Sequence, residues 1–216
     1  MTIQIGTYGW QNPRWNGSFY DPDLPEEWKL SWYANHFRTV VVPSEEVLKL
    51  SVDTIDQWVE DTDSDFRFIL EIDPKFFLQN RSNELSCKFQ MFENHFQGQL
   101  EAVICKSTRA KLIKHDEYET VQAGLSRAIV CVDTSGCDHV PDKYGRSGID
   151  DQLPEMKPNL FAIVYSSRGQ LLLIRENLEK MKRLNCEKCT LIFNHQESAY
   201  HHAAQARILA DIMGDA

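Results

Sequence analysis

The sequence contains no long apolar run and few residues that interrupt secondary structure. Of its 216 residues, only ten are glycine and eight are proline, while 42% are apolar. These proportions exclude a disordered, collagen-like or low-complexity chain and are typical of a folded globular protein. The charge-free stretch at residues 159–167 is far shorter than the roughly 18 apolar residues of a membrane span. We therefore expect a single domain over residues 1–216 and no membrane partner.

Positive charge is also scarce. The chain has 23 Lys and Arg residues against 32 Asp and Glu residues, which gives a formal net charge of −9. No run of Lys or Arg is longer than two residues. Because nucleic acids bind basic surfaces, this balance predicts no nucleic-acid partner.

The first six residues have neither the basic start nor the apolar core of an export signal. Six cysteines in such a chain are typical of free thiols in a reducing compartment. These features predict a cytoplasmic protein. No cofactor-binding motif stands out, so we expect no cofactor.

Seven short apolar runs recur at intervals of about 30 residues, which is the length of a strand–helix unit. Most runs are continuous rather than alternating, so both faces are apolar, as in a buried parallel strand. The predicted strands are residues 3–6, 39–42, 66–70, 102–105, 128–132, 160–165 and 190–193. Helical periodicity predicts helices at residues 82–96, 116–125 and 171–184. An alanine stripe at residues 199–210 predicts a last helix that packs closely against the sheet.

This order of elements predicts an α/β protein, either a doubly wound sheet or a closed barrel. Bulky residues rather than a helix follow the glycines after the first strand, which disfavours a dinucleotide-binding sheet. Residues 135–158 hold three glycines and three prolines without an apolar stripe, and we interpret them as a long surface loop. With seven visible strands, we predict a TIM-like (β/α) barrel that is seven-stranded or partly opened.

Motifs in the first 70 residues match a known family. They include Ile5-Gly6-Thr7-x-Gly9-Trp10, Trp15-x-Gly17-x-Phe19-Tyr20 and Tyr33-Ala34-x-x-Phe37, with looser matches at Val132-Asp133 and Phe193-Asn194. With these motifs the chain resembles the YecE-like family, a domain of unknown function, over nearly its whole length. The resemblance implies a TIM-type barrel and a family without an established activity.

The chain departs from the family's pattern where a barrel presents its C-terminal mouth. Glu71 stands at the end of the third strand, where the family usually has lysine. The family's Glu-x-Arg strand reads Ile104-Cys105-Lys106, and its final Asn-Asn pair reads Asn194-His195. We expect the family's Gln-Leu-Pro strand to be missing between strands three and four. This divergence predicts a different ligand for this member, or no catalysis.

The predicted mouth gathers aromatic and polar residues from the strand ends. Aromatic walls with a few convergent polar groups are typical of a ligand pocket, and Lys and Arg side chains bind anionic groups. Asp133 is a weak candidate for catalysis, as a general base. The predicted ligand-binding residues are Tyr8, Trp10, Tyr20, Lys106, Asp133, Arg168, Asn194 and His195.

Three other interpretations of the sequence are weaker. Cys186-x-x-Cys189 has half of a zinc-ribbon spacing, but a second such pair is absent and His195 lies at the other end of the strand, so no metal site is predicted. Cys137, close to His139, is a candidate reactive thiol, although an ordinary loop cysteine is the default. We interpret the aromatic residues at 10–32 mainly as packing of a loop rather than as a stacking surface.

Two functions from different classes remain open. The first is binding, or weak hydrolytic turnover, of a small polar or anionic metabolite at the mouth, where Lys106, Asp133 and Arg168 are expected to converge. The alternative is a non-catalytic scaffold whose site has decayed. A seam left by a missing unit would expose strand edges, which a homodimer would cover.

Overall fold

The sheet of the computed structural model is a closed barrel of parallel strands. The structure describes residues 2–79, 82–107, 113–133, 144–149, 161–184, 186, 188–195 and 197–214. Its strands are β1 (Thr2–Tyr8), β2 (Thr39–Val42), β3 (Arg67–Ile72), β4 (Leu100–Cys105), β5 (Ile129–Asp133), β6 (Gly145–Ile149), β7 (Ala162–Ser166) and β8 (Lys188–Phe193). Each strand pairs in parallel with the next, and β8 pairs with β1 to close the ring. The predicted α/β barrel is confirmed.

The predicted number of seven strands is wrong, because β6 lies inside the segment that we interpreted as a surface loop. Its sequence, Gly-Arg-Ser-Gly-Ile, contains no apolar run and therefore lacks the signal by which the other strands stand out. Glycine is needed at its first position, since a Cβ on Gly145 would lie 2.6 Å from the sulfur of Cys131 and 3.0 Å from the carbonyl oxygen of Phe161. The barrel is complete, and the expected seam does not exist.

Short connections explain how eight strands fit into this chain. Residues 134–144 join β5 to β6 and residues 150–161 join β6 to β7. Each connection is far shorter than the roughly 30 residues of a full strand–helix unit. The spacing of about 30 residues therefore applies to seven strands, and β6 lies within one such interval, between β5 and β7.

Helices occupy the segments between the other strands. They are α1 (Lys29–Ala34), α2 (Ser44–Val47), α3 (Val52–Glu60), α4 (Pro74–Gln79), α5 (Ser82–His95), α6 (His115–Ala123), α7 (Leu171–Lys182) and α8 (Ala199–Ile212). The predicted helices at 82–96, 116–125 and 171–184 are confirmed as α5, α6 and α7. The alanine stripe is buried on α8, which packs against β1 and β8 because its small side chains permit a close approach. Among the described helices, none is both long and apolar enough to cross a membrane.

The barrel divides the hydrophobic core into an inner and an outer layer. On β3, for example, Ile69 is buried inside the barrel, whereas Phe68 and Leu70 are buried between the barrel and the helices. Since side chains alternate between the two faces of a strand, both faces need apolar residues. This double burial is the physical reason for the continuous apolar runs in the sequence.

The loop after β1 is fixed by aromatic packing. Trp10, Trp15 and Tyr20 are buried, and the Tyr20 hydroxyl donates a 2.6 Å hydrogen bond to the carbonyl oxygen of Trp10. Trp15 thus packs the loop as predicted, and Trp10 and Tyr20, which the sequence also predicted as ligand-binding residues, are buried in the same loop. Trp28 and Trp32 are exceptions, because they remain 62% and 38% exposed.

Candidate functional site

Polar side chains meet at the C-terminal mouth of the barrel, above an apolar interior. Tyr8, Glu71 and Tyr165 lie within the last two residues of β1, β3 and β7, respectively. They share the inner face of the sheet with apolar residues below them, which fill the barrel so that it holds no pore. These buried residues are Val41, Ile69, Ala102, Ile104, Cys131, Phe161, Ile163 and Ile192.

Glu71 is the centre of this polar group and is only 2% exposed. Its Oε1 atom accepts a hydrogen bond of 2.7 Å from the Tyr8 hydroxyl. Its Oε2 atom accepts one of 2.9 Å from the Tyr165 hydroxyl and one of 3.2 Å from Nζ of Lys106. The carboxylate is therefore bound by one cation and two phenols, and we call these four residues the mouth cluster.

Lys106 closes the mouth cluster from the solvent side. It follows β4, and its side chain is about half exposed, at 46%. Its Nζ atom lies 5.7 Å from the centre of the Tyr8 ring and 5.6 Å from the centre of the Tyr165 ring. Both distances are within the range of cation–π attraction. Three weak interactions thus hold one flexible side chain over a buried carboxylate.

The two tyrosines are neutral hydrogen-bond donors. Burial raises the pKa of Tyr8 above its ordinary value of 10, and the negative charge of Glu71 raises it further. The pKa of Tyr165 is raised for the same two reasons, with a smaller contribution from Asp133. Both hydroxyls therefore keep their protons at neutral pH, and each donates a hydrogen bond to Glu71.

Asp133, the catalytic candidate of the sequence, lies beside this cluster. It ends β5, is only 8% exposed, and is close enough to Tyr165 for its charge to affect the pKa of that hydroxyl. The structure therefore places Asp133 and Lys106 at the same mouth. Arg168 follows β7 and is half-buried, with its backbone N–H donating to Oγ of Ser166. The convergence of Lys106, Asp133 and Arg168 stays a prediction.

A groove of about 260 Å³ begins at the mouth cluster and continues over the loops after β1 and β2. Tyr8 and Trp10 form its aromatic side, and Glu45 and Glu46 form an acidic side. Gly9, Gln11, Asn12 and Pro43 complete the lining. Two of the predicted ligand-binding residues, Tyr8 and Trp10, thus share one depression that is open to solvent.

Asn194 and His195 line a separate, shallower depression of about 430 Å³. Arg14 and Glu197 form an ion pair at its edge, and Ser167 completes it. Ser198 Oγ and His195 Nδ1 lie 2.9 Å apart and share a hydrogen bond. Four of the predicted site residues are therefore divided between two depressions rather than gathered in one.

Tyr20 does not reach either depression, because it is 1% exposed and bonded within its own loop. Conversely, sequence analysis did not place Glu71 or Tyr165 in the site. Glu71 carried a signal, since an acidic residue at the end of an apolar strand needs a buried partner. Tyr165 carried none, because a tyrosine at the end of an apolar run also fits a core.

The metal site and the reactive thiol are the two remaining interpretations of the sequence. Among the described residues, no three His, Cys, Asp or Glu side chains are arranged to hold a metal ion. The candidate thiol Cys137 and its neighbour His139 lie outside the described residues.

The closed parallel sheet, with polar groups at its C-terminal rim, places the chain among the TIM-type barrels. Residues 4–111 match the family described as protein of unknown function DUF72, and the chain belongs to this family. The resemblance to the YecE-like family is thereby confirmed.

Solved structures share this fold. A DUF72 family protein from Thermotoga maritima MSB8 is 14% identical with a TM-score of 0.69, over 98% of this chain and 100% of that chain. A DUF72 family protein from Enterococcus faecalis V583 is 13% identical with a TM-score of 0.66, over 97% of this chain and 96% of that chain. A D-psicose 3-epimerase from Clostridium cellulolyticum H10, solved with D-tagatose, is 9% identical with a TM-score of 0.50 and 98% coverage of both chains. No curated protein sequence is significantly similar to this chain.

Proposed function

We propose that the protein binds a small polar metabolite at the C-terminal mouth of its barrel, with Lys106 as the ligand's main polar contact. The mouth cluster carries this proposal. Glu71 is a buried carboxylate whose ionised form costs free energy to desolvate. The interior of a TIM-type barrel is mostly apolar, so a charged side chain buried at its mouth points to a use other than stability.

Lys106 has hydrogen-bond donors that are available to a ligand. An ammonium group has three N–H donors, and among the described residues Glu71 is its only hydrogen-bond partner. Because the side chain is about half exposed, the remaining donors can reach a ligand's hydroxyl, carbonyl or anionic oxygen. Glu71 holds the ammonium in place while Tyr8 and Tyr165 support it from below. This preorganisation reduces the conformational entropy that Lys106 loses when a ligand binds.

The adjoining groove defines the rest of the ligand's chemistry. Tyr8 offers apolar ring surface, and Glu45 and Glu46 accept hydrogen bonds. A ligand that places one acceptor against Lys106 and extends hydroxyl or amino groups into the groove satisfies both sides. A neutral or monoanionic metabolite fits this pattern better than a polyanion, because Glu45 and Glu46 would repel the added charge.

The geometry favours binding over turnover. Tyr8 and Tyr165 are held protonated, and both oxygens of Glu71 already accept hydrogen bonds. None of these groups is free to remove a proton from a ligand. Asp133 remains the candidate base for any weak hydrolytic activity, and its substitution by alanine is the test of that role.

Two lysines provide a matched test of the binding site. Lys106 and Lys188 are 46% and 57% exposed, and each donates to a buried glutamate, but they lie at opposite ends of the barrel. Thermal unfolding of the wild type, Lys106→Met and Lys188→Met should be measured against a panel of polyols, amino acids and monoanionic metabolites. A compound at about 100 times its Kd adds about 2.7 kcal/mol, which raises the Tm of a chain of this size by roughly 5–10 °C.

The expected result is a shift that the wild type and Lys188→Met share and that Lys106→Met loses. A shift of equal size in all three proteins would show that binding does not involve Lys106. A shift that Asp133→Ala alone removes would place the ligand on the β5 side of the mouth instead.

The scaffold alternative loses the feature on which it rested, since the closed sheet leaves no seam for a partner to cover. A homodimer therefore stays a prediction without a designated surface, and light scattering at high concentration tests it.

A further inference from the structure

Two cysteines lie in contact at the end of the barrel opposite the mouth. Cys189 is the second residue of β8, and Cys186 precedes the strand in the connection from α7. Their sulfur atoms are 3.2 Å apart and share a hydrogen bond. Cys186 is 6% exposed and Cys189 is 0% exposed. The Cys-x-x-Cys spacing in the sequence is thus a contact between thiols in the structure.

The distance between these sulfur atoms is short enough for oxidation. A disulfide has a sulfur–sulfur length of about 2.05 Å, so bond formation requires the sulfurs to approach by about 1 Å. Cys189 is held within β8, but Cys186 lies outside the sheet, so small rotations of the Cys186 side chain can supply this approach. The other described cysteines, Cys87, Cys105 and Cys131, differ because none of them has its sulfur in contact with another described sulfur.

The two thiols are not equivalent. The hydrogen bond from the Cys189 thiol lowers the pKa of Cys186, and the same bond together with burial raises the pKa of Cys189. Cys186 is also the residue with some exposure. Attack on an external disulfide requires a thiolate that the reagent can reach, so Cys186 is the group that reacts first.

A metal site explains this pair less well. Structural zinc takes four ligands, and in the described part of the chain no third His, Cys, Asp or Glu joins the two sulfurs. Lys188, which begins β8 next to Cys189, is directed to Glu101, with Nζ 2.8 Å from the carboxylate. Oxidation needs only the two sulfurs that are already in contact.

We propose that Cys186 and Cys189 form a reversible dithiol–disulfide pair, a redox modification site that exchanges with low-molecular-weight disulfides such as oxidised glutathione. The Cys186 thiolate attacks one sulfur of oxidised glutathione, forms a mixed disulfide and releases one glutathione thiolate. Cys189 then attacks the Cys186 sulfur while its thiol proton passes to the departing second glutathione thiolate. The protein loses two electrons and two protons, and oxidised glutathione becomes two molecules of reduced glutathione.

The test is mass mapping of the folded protein after equilibration in glutathione buffers of increasing oxidised fraction. The expected result for the wild type is the loss of two hydrogen atoms from the segment containing Cys186 and Cys189, reversed by dithiothreitol. The exposed Cys87 serves as an internal control, since its glutathionylation shows that the oxidant was active. If Cys87 is modified while the Cys186–Cys189 segment keeps both thiols, the proposal is wrong.

Single substitutions resolve the order of the two steps. In Cys189→Ser, the mixed disulfide at Cys186 has no second thiol to resolve it, so one glutathione remains attached. In Cys186→Ser, the buried Cys189 stays unmodified. Cys87→Ser is the matched control and keeps the oxidation of the wild type. Glutathione retained on Cys189 in Cys186→Ser, at the level seen on Cys186 in Cys189→Ser, would overturn the assigned order and the proposal with it.

Discussion

The two ends of the barrel hold their buried carboxylates in different ways. At the N-terminal end, Glu101 pairs with two cations, Arg67 at 3.2 Å and Lys188 at 2.8 Å. At the C-terminal mouth, Glu71 accepts bonds from two neutral phenols and a single lysine. Arg67 also donates to the backbone carbonyl oxygens of residues 64 and 66, so it is fixed in place. Lys106 has no such additional bond among the described residues.

A second carboxylate at the N-terminal side extends the contrast. Glu93 on α5 accepts hydrogen bonds of 2.7 and 2.8 Å from the backbone N–H groups of Arg127 and Ala128, just before β5. The backbone N–H and hydroxyl of Ser126 also donate to it. Permanent partners saturate the N-terminal carboxylates, whereas the mouth keeps donors available. In β/α barrels, the N-terminal face serves stability and the C-terminal face serves ligands, which this difference reproduces.

Glu101→Gln should give the largest loss of stability. The substitution leaves Arg67 without its carboxylate in a partly buried position, and we expect the free energy of unfolding to fall by about 2–4 kcal/mol. Glu71→Gln should cost less, about 1–2 kcal/mol, because a glutamine oxygen still accepts from tyrosine and Lys106 can turn to solvent. Urea unfolding of both variants measures the difference. Equal losses would mean that the two ends do not differ as described.

Glu93→Gln should alter the acid stability of the protein. Burial opposes ionisation of Glu93, but the hydrogen bonds from residues 126–128 outweigh it and lower the pKa of the carboxyl from 4.5 to about 2. Ionised Glu93 thus stabilises the fold fully above about pH 4.5, and this contribution is lost as the pH falls from 4.5 to about 2. In Glu93→Gln we expect a loss of about 2 kcal/mol at pH 7 and a weaker pH dependence in that interval. Denaturant titrations at several pH values test this, and an unchanged slope would contradict it.

Two tyrosines provide the smallest but most selective comparison. Tyr33, in the outer layer, accepts a 3.0 Å bond from the backbone N–H of Thr7 and donates a 2.9 Å bond to the carbonyl oxygen of Thr39. Tyr165 donates to Glu71 alone among its described partners. We expect Tyr33→Phe to cost about 2 kcal/mol and Tyr165→Phe about 1 kcal/mol.

The ligand response should reverse this ranking. Tyr165→Phe removes one support of the mouth cluster and should reduce any ligand-induced rise in Tm, whereas Tyr33→Phe should leave that rise unchanged. Differential scanning fluorimetry with and without the bound compound measures both effects. A reduced rise in Tyr33→Phe would show that the ligand senses general stability rather than the mouth.

Sequence analysis found the elements that are stabilised by burial of their own apolar side chains. Seven strands have apolar residues on both faces, and α8 has alanines on one face, so their patterns are visible without partners. β6 was missed because its inner positions hold Gly145 and Ser147. These small residues fit the limited space beside the neighbouring strands but provide no apolar side chain that the sequence pattern could reveal. The aromatic loop was interpreted correctly as packing for Trp15, whereas Tyr20, which was also predicted to bind a ligand, is buried. Nothing in the sequence separates these two residues from the exposed Trp28.

The candidate site was predicted only in part for a related reason. Tyr8, Lys106 and Asp133 were placed at the mouth because each follows or ends a strand. Their common partner Glu71 is 63 residues from Tyr8 and 94 residues from Tyr165 along the chain. Which residues become its partners depends on which side chains of three strands point into the barrel and on how the strands are staggered relative to one another.

The order of residues by itself therefore determined the parallel strands, the outer helices and the family, because apolar periodicity and short motifs are local properties. Closure of the sheet decided the rest: the eighth strand, the bonding of Glu71 at one end and the pairing of Glu101 with Lys188 at the other. Residues that are far apart in the sequence come into contact only when each strand is paired with both of its neighbours in the closed barrel.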